Sequence, residues 1–190
     1  MALAKIVYAS MTGNTEEIAD IVASKLEELG VEVQVHECTT IETEDILDAD
    51  LIVVASYTYS YGGDGELPDE IVDFYADLAD LDLTGKVYGV CGSGDTFYDD
   101  FCSAVDDFDV MLGSRGATKG AENVKVDLAA EDEDIVNLEQ FATDLAAKLD
   151  TLNSKINTTS KGFNQADSMA STFLSRLSFG AGAVGGLYLV

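Results

Sequence analysis

Apolar positions along the first 150 residues switch repeatedly between two periods. Lys5-Ile6-Val7-Tyr8-Ala9 is a short β-rich run that stops at a polar, glycine-containing loop. Ile18, Ile21, Val22, Leu26 and Leu29 then recur at helical spacing. Gly30 marks the end of that helix, and Val31 to Val35 reads as a second strand. Leu51-Ile52-Val53-Val54-Ala55 is a near-continuous apolar run, as expected of a strand buried on both faces of a parallel sheet. A helix is expected after Pro68, a fourth strand over Val87 to Cys91, a helix over Phe97 to Leu112, and a fifth strand over Val124 to Leu128. Ile135, Leu138, Phe141, Leu145 and Leu149 mark a last amphipathic helix.

Strands alternating with helices of this length require right-handed crossovers. The predicted fold is therefore α/β: a doubly wound, five-stranded parallel sheet with helices on both faces. Ligands of such sheets bind beyond the carboxyl ends of the strands, where the strand order reverses. The loops after strands one, three and four then matter most.

The first, Ser10-Met11-Thr12-Gly13-Asn14-Thr15, packs three hydroxyls and a glycine into the opening of a helix. Helix-start amides and hydroxyls suit an anion, and the helix dipole favours negative charge there. The loop holds no lysine or arginine, which argues against a Walker loop, and the chain lacks Gly-x-Gly-x-x-Gly. An ordinary N-cap by Thr12 or Asn14 is the simpler account. The second loop runs from Ser56 to Pro68 and carries Tyr57, Tyr59 and Tyr61 with Gly62, Gly63 and Gly65. Tyrosines on a flexible turn suit a planar ring system, although Tyr57 can tuck back into the core. The third, from Gly92-Ser93-Gly94-Asp95 to Phe101-Cys102, offers backbone freedom first and aromatics next. Tyr98 can cover one ring face while Phe97 or Phe101 turns inward; Asp95 as a helix N-cap is the competing account.

Together the three loops resemble the flavodoxin family, in its short-chain bacterial form, over about residues 1 to 150. Ser10-x-Thr12-Gly13-x-Thr15 is similar to that family's phosphate signature. Gly94-Asp95-Thr96-Phe97-Tyr98 with Phe101-Cys102 is similar to its second flavin loop. Flavodoxin and its FMN are themselves a standing illustration of the switch-point rule. The resemblance implies strand order 2-1-3-4-5 and one non-covalently bound FMN. Ser10, Thr12, Asn14 and Thr15 would bind its phosphate, Tyr98 would stack on the outer ring face, and Asp95 would contact the pyrimidine edge. The middle loop is stretched relative to the family, so either Tyr59 or Tyr61 takes the inner face, with spacing from Glu66 favouring Tyr61. A peptide that flips on reduction would be Gly62-Gly63 or Gly63-Asp64. The candidate cofactor-binding set is Ser10, Met11, Thr12, Gly13, Asn14, Thr15, Ser56, Tyr57, Thr58, Tyr59, Tyr61, Gly62, Gly63, Gly92, Ser93, Gly94, Asp95, Tyr98, Phe101 and Cys102. No catalytic or metal-ligating residue is assigned.

Charge adds the partner class. The chain has 36 acidic and 10 basic residues, a net of −26. Residues 1 to 150 hold 35 of the acids against 7 bases, whereas residues 151 to 190 hold only Asp167 against Lys155, Lys161 and Arg176. Such a field repels nucleic acid and attracts basic protein faces, although acidity for solubility is the plainer explanation. The resemblance implies a monomeric, low-potential, one-electron carrier between a flavodoxin reductase and acceptor oxidoreductases, not a classical enzyme. Cys38, Cys91 and Cys102 form no Cys-x-x-Cys, and Met1 to Ile6 does not open a signal peptide, so the cytoplasm is expected.

A phospho-receiver of the same fold would need acids after strand one and an aspartate ending strand three. Tyr8-Ala9-Ser10 and Ala55-Ser56 stand there instead. A flavin-dependent quinone reductase, an activator of a radical enzyme, and an interaction protein without flavin remain as alternatives. Residues 151 to 190 have no counterpart in the family. Asn153 to Ser171 reads as a linker, and Phe173 to Val190 is apolar but too interrupted for a membrane span. A disordered extension, a membrane or partner contact, and an extra packed element are the readings for this segment.

Overall fold

The computed structural model describes residues 1–60 and 65–180, with side chains of the last helix described through Lys155 and again at Thr158 and Met169. In chain order the elements are β1 (Leu3–Ala9), α1 (Asn14–Glu28), β2 (Glu32–Glu37), β3 (Leu51–Tyr57), α2 (Val72–Asp77), β4 (Val87–Gly94), α3 (Ser103–Ser114), β5 (Thr118–Lys119), β6 (Val124–Asp127) and α4 (Asp132–Gly180). Short 3-10 turns bracket α2 at Asp69–Ile71 and Leu78–Asp80.

All strand pairs are parallel, in the order β2-β1-β3-β4, with β5 and β6 both on the far side of β4. The fifth position of the sheet is thus filled by two short pieces. An aspartate explains how the broken edge is held. Asp109 of α3 accepts hydrogen bonds from the Lys119 ammonium of β5 at 2.8 Å and from the Asn123 amide in the gap at 3.1 Å. The Tyr88 hydroxyl of β4 adds a third at 2.7 Å. Three segments that do not pair as one strand are tied to the same carboxylate.

Strand alternation divides the core. Val7, Ala9, Ile52, Val54, Tyr88 and Val90 cluster with Phe74, Leu78, Phe108 and Leu112, which come from α2, the turn after it and α3. On the opposite face Gly89 lies close beneath Phe141 and Leu145 of α4, and α1 buries Ile18, Val22 and Leu26. Residues Leu51 to Ala55 are fully buried. Each of the larger side chains there contributes about 1.5–3 kcal/mol. Lys5, buried within β1, has its ammonium held by the Asp45 carbonyl at 2.6 Å and the Asp48 carboxylate at 2.6 Å. α1 ends with Val31 N–H returning to Leu26 O and Gly30 N–H to Glu27 O, which is a Schellman closure.

Three elements differ from expectation. The third helix begins at Ser103, not Phe97, because Phe97 to Cys102 forms turns stabilised by aspartates. Asp95 accepts from Phe97 N–H at 2.8 Å, so its side chain closes a turn and does not cap the helix. The last strand stops at Asp127, since Leu128 adopts a left-handed backbone with φ 61°. The last helix continues through Asn153–Ser171, read above as a linker. That segment contains one glycine and no proline, and Ser, Thr and Asn cost a helix only a few tenths of a kcal/mol each. Contacts divide the chain into two compact units, Met1–Asp150 and Thr151–Val190. Among the described residues no helix is long and apolar enough to cross a membrane.

The Asp109 junction gives a pH-dependent expectation. Burial raises the carboxyl's pKa, but the bonds from Lys119, Tyr88 and Asn123 outweigh it and hold the group below the ordinary aspartate range. A depressed carboxyl stabilises the fold above its unfolded pKa of about 3.9, and that contribution is lost as pH falls through the folded value. Asp109→Asn should therefore cost about 1–2 kcal/mol in urea unfolding at pH 7. The deficit should shrink between about pH 4 and pH 2. A deficit independent of pH would contradict this account.

Candidate functional site

The carboxyl ends of β1, β3, β4 and β6 open onto a cleft of about 180 Å³. From the first loop Met11, Thr12, Asn14 and Thr15 line it; from the second, Tyr57, Thr58 and Ser60; from the third, Ser93, Gly94, Asp95 and Tyr98. Leu128, following β6, completes the lining.

Local geometry shapes the first loop for an anion. Gly13 takes a left-handed backbone, φ 94°, at the N-cap of α1, and a Cβ there would have open space around it. The glycine is required by backbone conformation and not by crowding. Its N–H donates to Ser10 Oγ at 3.1 Å, which folds the loop back on itself. α1 has no side-chain cap, so neither Thr12 nor Asn14 caps it. The first intrahelical bond runs from Glu17 N–H to Gly13 O at 2.9 Å. The amides of Asn14, Thr15 and Glu16 therefore precede any intrahelical partner, and the helix dipole adds partial positive charge. Among the described residues no cationic side chain lines the cleft. This donor set suits a phosphate held by neutral groups.

The three loops are tied to one another below the cleft. Thr15 Oγ1 and Ser93 Oγ share a buried hydrogen bond of 2.8 Å. Thr58 N–H donates to Ser93 O at 3.1 Å, and Thr58 Oγ1 accepts from Ala104 N–H at 3.1 Å. Gly65 N–H donates to Asp100 at 3.1 Å. Tyr59 and Glu66 exchange both backbone bonds, at 2.9 and 2.8 Å, and so close the middle loop.

Aromatic and apolar groups supply the other wall. Tyr98 is partly exposed and meets Phe97 edge-on at a centroid distance of 5.3 Å. Phe97 is 84% exposed, whereas Phe101 turns inward onto the core. Tyr57 donates its hydroxyl to Glu70 at 3.0 Å; burial first, then Glu70, raises the phenol pKa well above the ordinary range, so it stays protonated at neutral pH. Thr96 donates its hydroxyl, at 2.7 Å, and its N–H, at 3.0 Å, to Asp127, which holds that carboxyl below the usual range.

Several candidate residues do not reach the cleft. Ser56 is buried, because strand alternation turns it into the sheet, with its hydroxyl on Tyr57 O at 2.9 Å. Gly92 lies under it: a Cβ there would overlap the Ser56 carbonyl. Cys102 is buried at the left-handed N-cap of α3, with Sγ near Gly92 O and Val126 O, and burial raises its thiol pKa to about 12. Phe101 packs inward, Ser10 and Gly13 shape the first loop without lining the cavity, and Tyr59 is exposed beside Ser60. Tyr61, Gly62 and Gly63 lie outside the described residues. Two lining residues, Ser60 and Leu128, were not foreseen. Ser60 sits between two tyrosines that drew attention to themselves, and Leu128 read as the last residue of a strand. The break of the β-run into Leu128-Ala129-Ala130-Glu131 was the available signal for a fourth loop.

A family model described as flavodoxin matches residues 6–153. "Probable flavodoxin 1" of Bacillus subtilis (strain 168) is 38% identical over 154 residues, covering 80% of this chain and 96% of that protein. Among solved structures, a flavodoxin of Streptococcus pneumoniae TIGR4 is 69% identical with a TM-score of 0.74, covering 77% of this chain and 99% of that one. A short-chain flavodoxin associated with a non-canonical PDU bacterial microcompartment is 48% identical with a TM-score of 0.75, covering 78% and 99%. Given a phosphate-ready helix start, an aromatic wall and relatives of this similarity, the chain belongs to the flavodoxin family and is an FMN-binding electron-transfer protein rather than an enzyme in the usual sense.

Proposed function

We propose that FMN occupies this cleft with its phosphate at the Met11–Thr15 loop and its ring against the second and third loops. The chain then carries single electrons at low potential between proteins that present basic faces. The observation that carries the reading is the uncapped start of α1, opening into the same cavity as Tyr57 and Tyr98.

FMN supplies the one-electron chemistry when bound. The chain's own groups do the rest. Thr12, Asn14, Thr15 and the first-turn amides hold the phosphate without a counter-charge, while Tyr98, braced by Phe97, shields one face of the ring from water. Asp95, Asp99 and Asp100 in the third loop, with Asp127 bonded to its Thr96, oppose any gain of negative charge beside them, which lowers the potential. A tenfold change in relative stability moves a one-electron couple by about 59 mV.

Residues 1–150 form the FMN domain, and residues 151–190 are an extension that lies outside nearly all of the family match. The chain acts as a monomer in the cytoplasm, where its three free, buried cysteines need no partner. Its partners are a reductase and acceptor oxidoreductases. Long-range attraction between the acidic unit and their basic faces speeds encounter, and the exposed Met11, Phe97, Tyr98 and Leu128 around the cleft supply apolar contact once the faces meet.

Two measurements test the site. Thr12→Val should weaken FMN binding about tenfold while leaving riboflavin within about twofold, because only FMN carries the phosphate. Tyr98→Ala should weaken both ligands about equally, by roughly three- to tenfold, in titrations followed by flavin fluorescence. Equal losses of FMN and riboflavin in Thr12→Val would refute the phosphate assignment. Independently, FMN affinity should increase as salt is raised from about 20 to about 500 mM, since screening relieves repulsion between the phosphate and the acidic unit. Riboflavin affinity should stay nearly flat over that range, and an FMN affinity that falls with salt would contradict a neutral cradle in a negative field.

A further inference from the structure

Among the described residues only two that are not glycine have a positive φ, Cys102 at 54° and Leu128 at 61°. A side chain with a Cβ pays a steric cost in this region, and leucine has no polar group with which to offset it locally. Cys102 is fully buried, and its conformation starts α3. Leu128 is different, because it is 53% exposed and is not among the buried core residues. Glycine would meet the backbone requirement there at lower cost, as Gly13 does in the first loop.

The surroundings over-determine this strained position. Leu128 N–H donates to Gly94 O at 2.7 Å, which joins the end of β6 to the start of the third loop. One residue earlier, Asp127 accepts both the N–H and the hydroxyl of Thr96, at 3.0 and 2.7 Å. Leu128 is thereby anchored beside Gly94 and lines the cleft with Asp95 and Tyr98. Strain that persists in an exposed apolar residue at the mouth of a cavity is evidence that the side chain serves what enters the cavity.

We propose that Leu128 is a fourth contact element of the FMN site, a strained apolar edge that covers the ring end of the cleft. It adds a loop after β6 to the loops after β1, β3 and β4. The inference rests on the cleft being the FMN site, and the experiment separates the two.

The apoprotein and its Leu128→Gly and Leu128→Ala variants are titrated with FMN and with riboflavin, and their thermal midpoints are measured without ligand. Leu128→Gly removes the side chain and relieves the backbone, so its midpoint should equal or exceed that of the parent. Its affinities for FMN and riboflavin should fall together, by about three- to tenfold. Leu128→Ala should lose the same affinity, with a midpoint at or below that of Leu128→Gly. If the parent binds FMN and both variants bind it equally well, the inference is overturned while the site assignment stands. A loss for FMN but not riboflavin would place Leu128 at the phosphate end, and a clearly lowered midpoint in Leu128→Gly would make it a residue of the fold; either overturns the proposal. A parent indifferent to FMN would remove the site assignment and this inference together.

Discussion

The hydrogen bond between Thr15 and Ser93 is the constraint on which the cleft depends. Both hydroxyls are buried, and a buried hydroxyl left without a partner costs about 1–3 kcal/mol. Each therefore fixes the other, which sets the start of α1 against the carboxyl end of β4. Next to this pair, Gly92 allows the Ser56 carbonyl to approach β4 more closely than any side chain would permit. Thr58 N–H then reaches Ser93 O and brings in the middle loop. Three loops distant in sequence are held by contacts involving two adjacent residues of one strand. The uncapped amides of α1 open into the cavity because this junction decides where the helix begins.

On the proposed function, a phosphate held within so negative a unit depends on the same junction. A lysine in the first loop would attract any anion, including free phosphate, and would offset the field that draws basic partners. Amides and hydroxyls bind by geometry instead, and their dipoles weaken steeply with distance. The repulsion from remote carboxylates is long-ranged but screened, with a Debye length of about 8 Å at physiological salt. Close neutral donors can thus prevail locally while the acidic surface retains its reach. One unit satisfies two opposite demands because they act over different distances.

Most of the sheet was legible in the sequence because burial on both faces leaves a continuous apolar run, as in Leu51 to Ala55, that few other structures tolerate. The third loop was less so. Phe97, Tyr98 and Phe101 fall at near-helical spacing, yet Asp95 and Asp100 close turns that compete with helix, with Asp100 O accepting from Ser103 N–H at 3.3 Å. Helical spacing also hid orientation: Phe97 faces solvent, Phe101 faces the core, and only Tyr98 of the three lines the cleft. Ser56 and Cys102 fit the family pattern by position but point inward, because pleat alternation for one and a left-handed backbone for the other decide direction. The edge strand could not be read as two pieces, since its geometry depends on Asp109, a residue of a different element. In the last helix, composition suggested a linker, but the absence of proline mattered more than the abundance of Ser, Thr and Asn.

The cleft rim combines two kinds of surface that acidic proteins usually keep apart. Met11 and Phe97 are 70% and 84% exposed, and Leu128 lies close by, within a unit of high negative charge. Apolar side chains gain nothing from water, so the clustering of exposed Met11 and Phe97 at the mouth of the cleft calls for a cause outside the fold. Charge alone would bring a basic partner near in many orientations. A compact apolar contact, effective only over a few ångströms, selects the orientation in which the ring edge faces that partner. On the proposed function, long-range attraction governs how often partners meet, and the rim governs whether a meeting passes an electron.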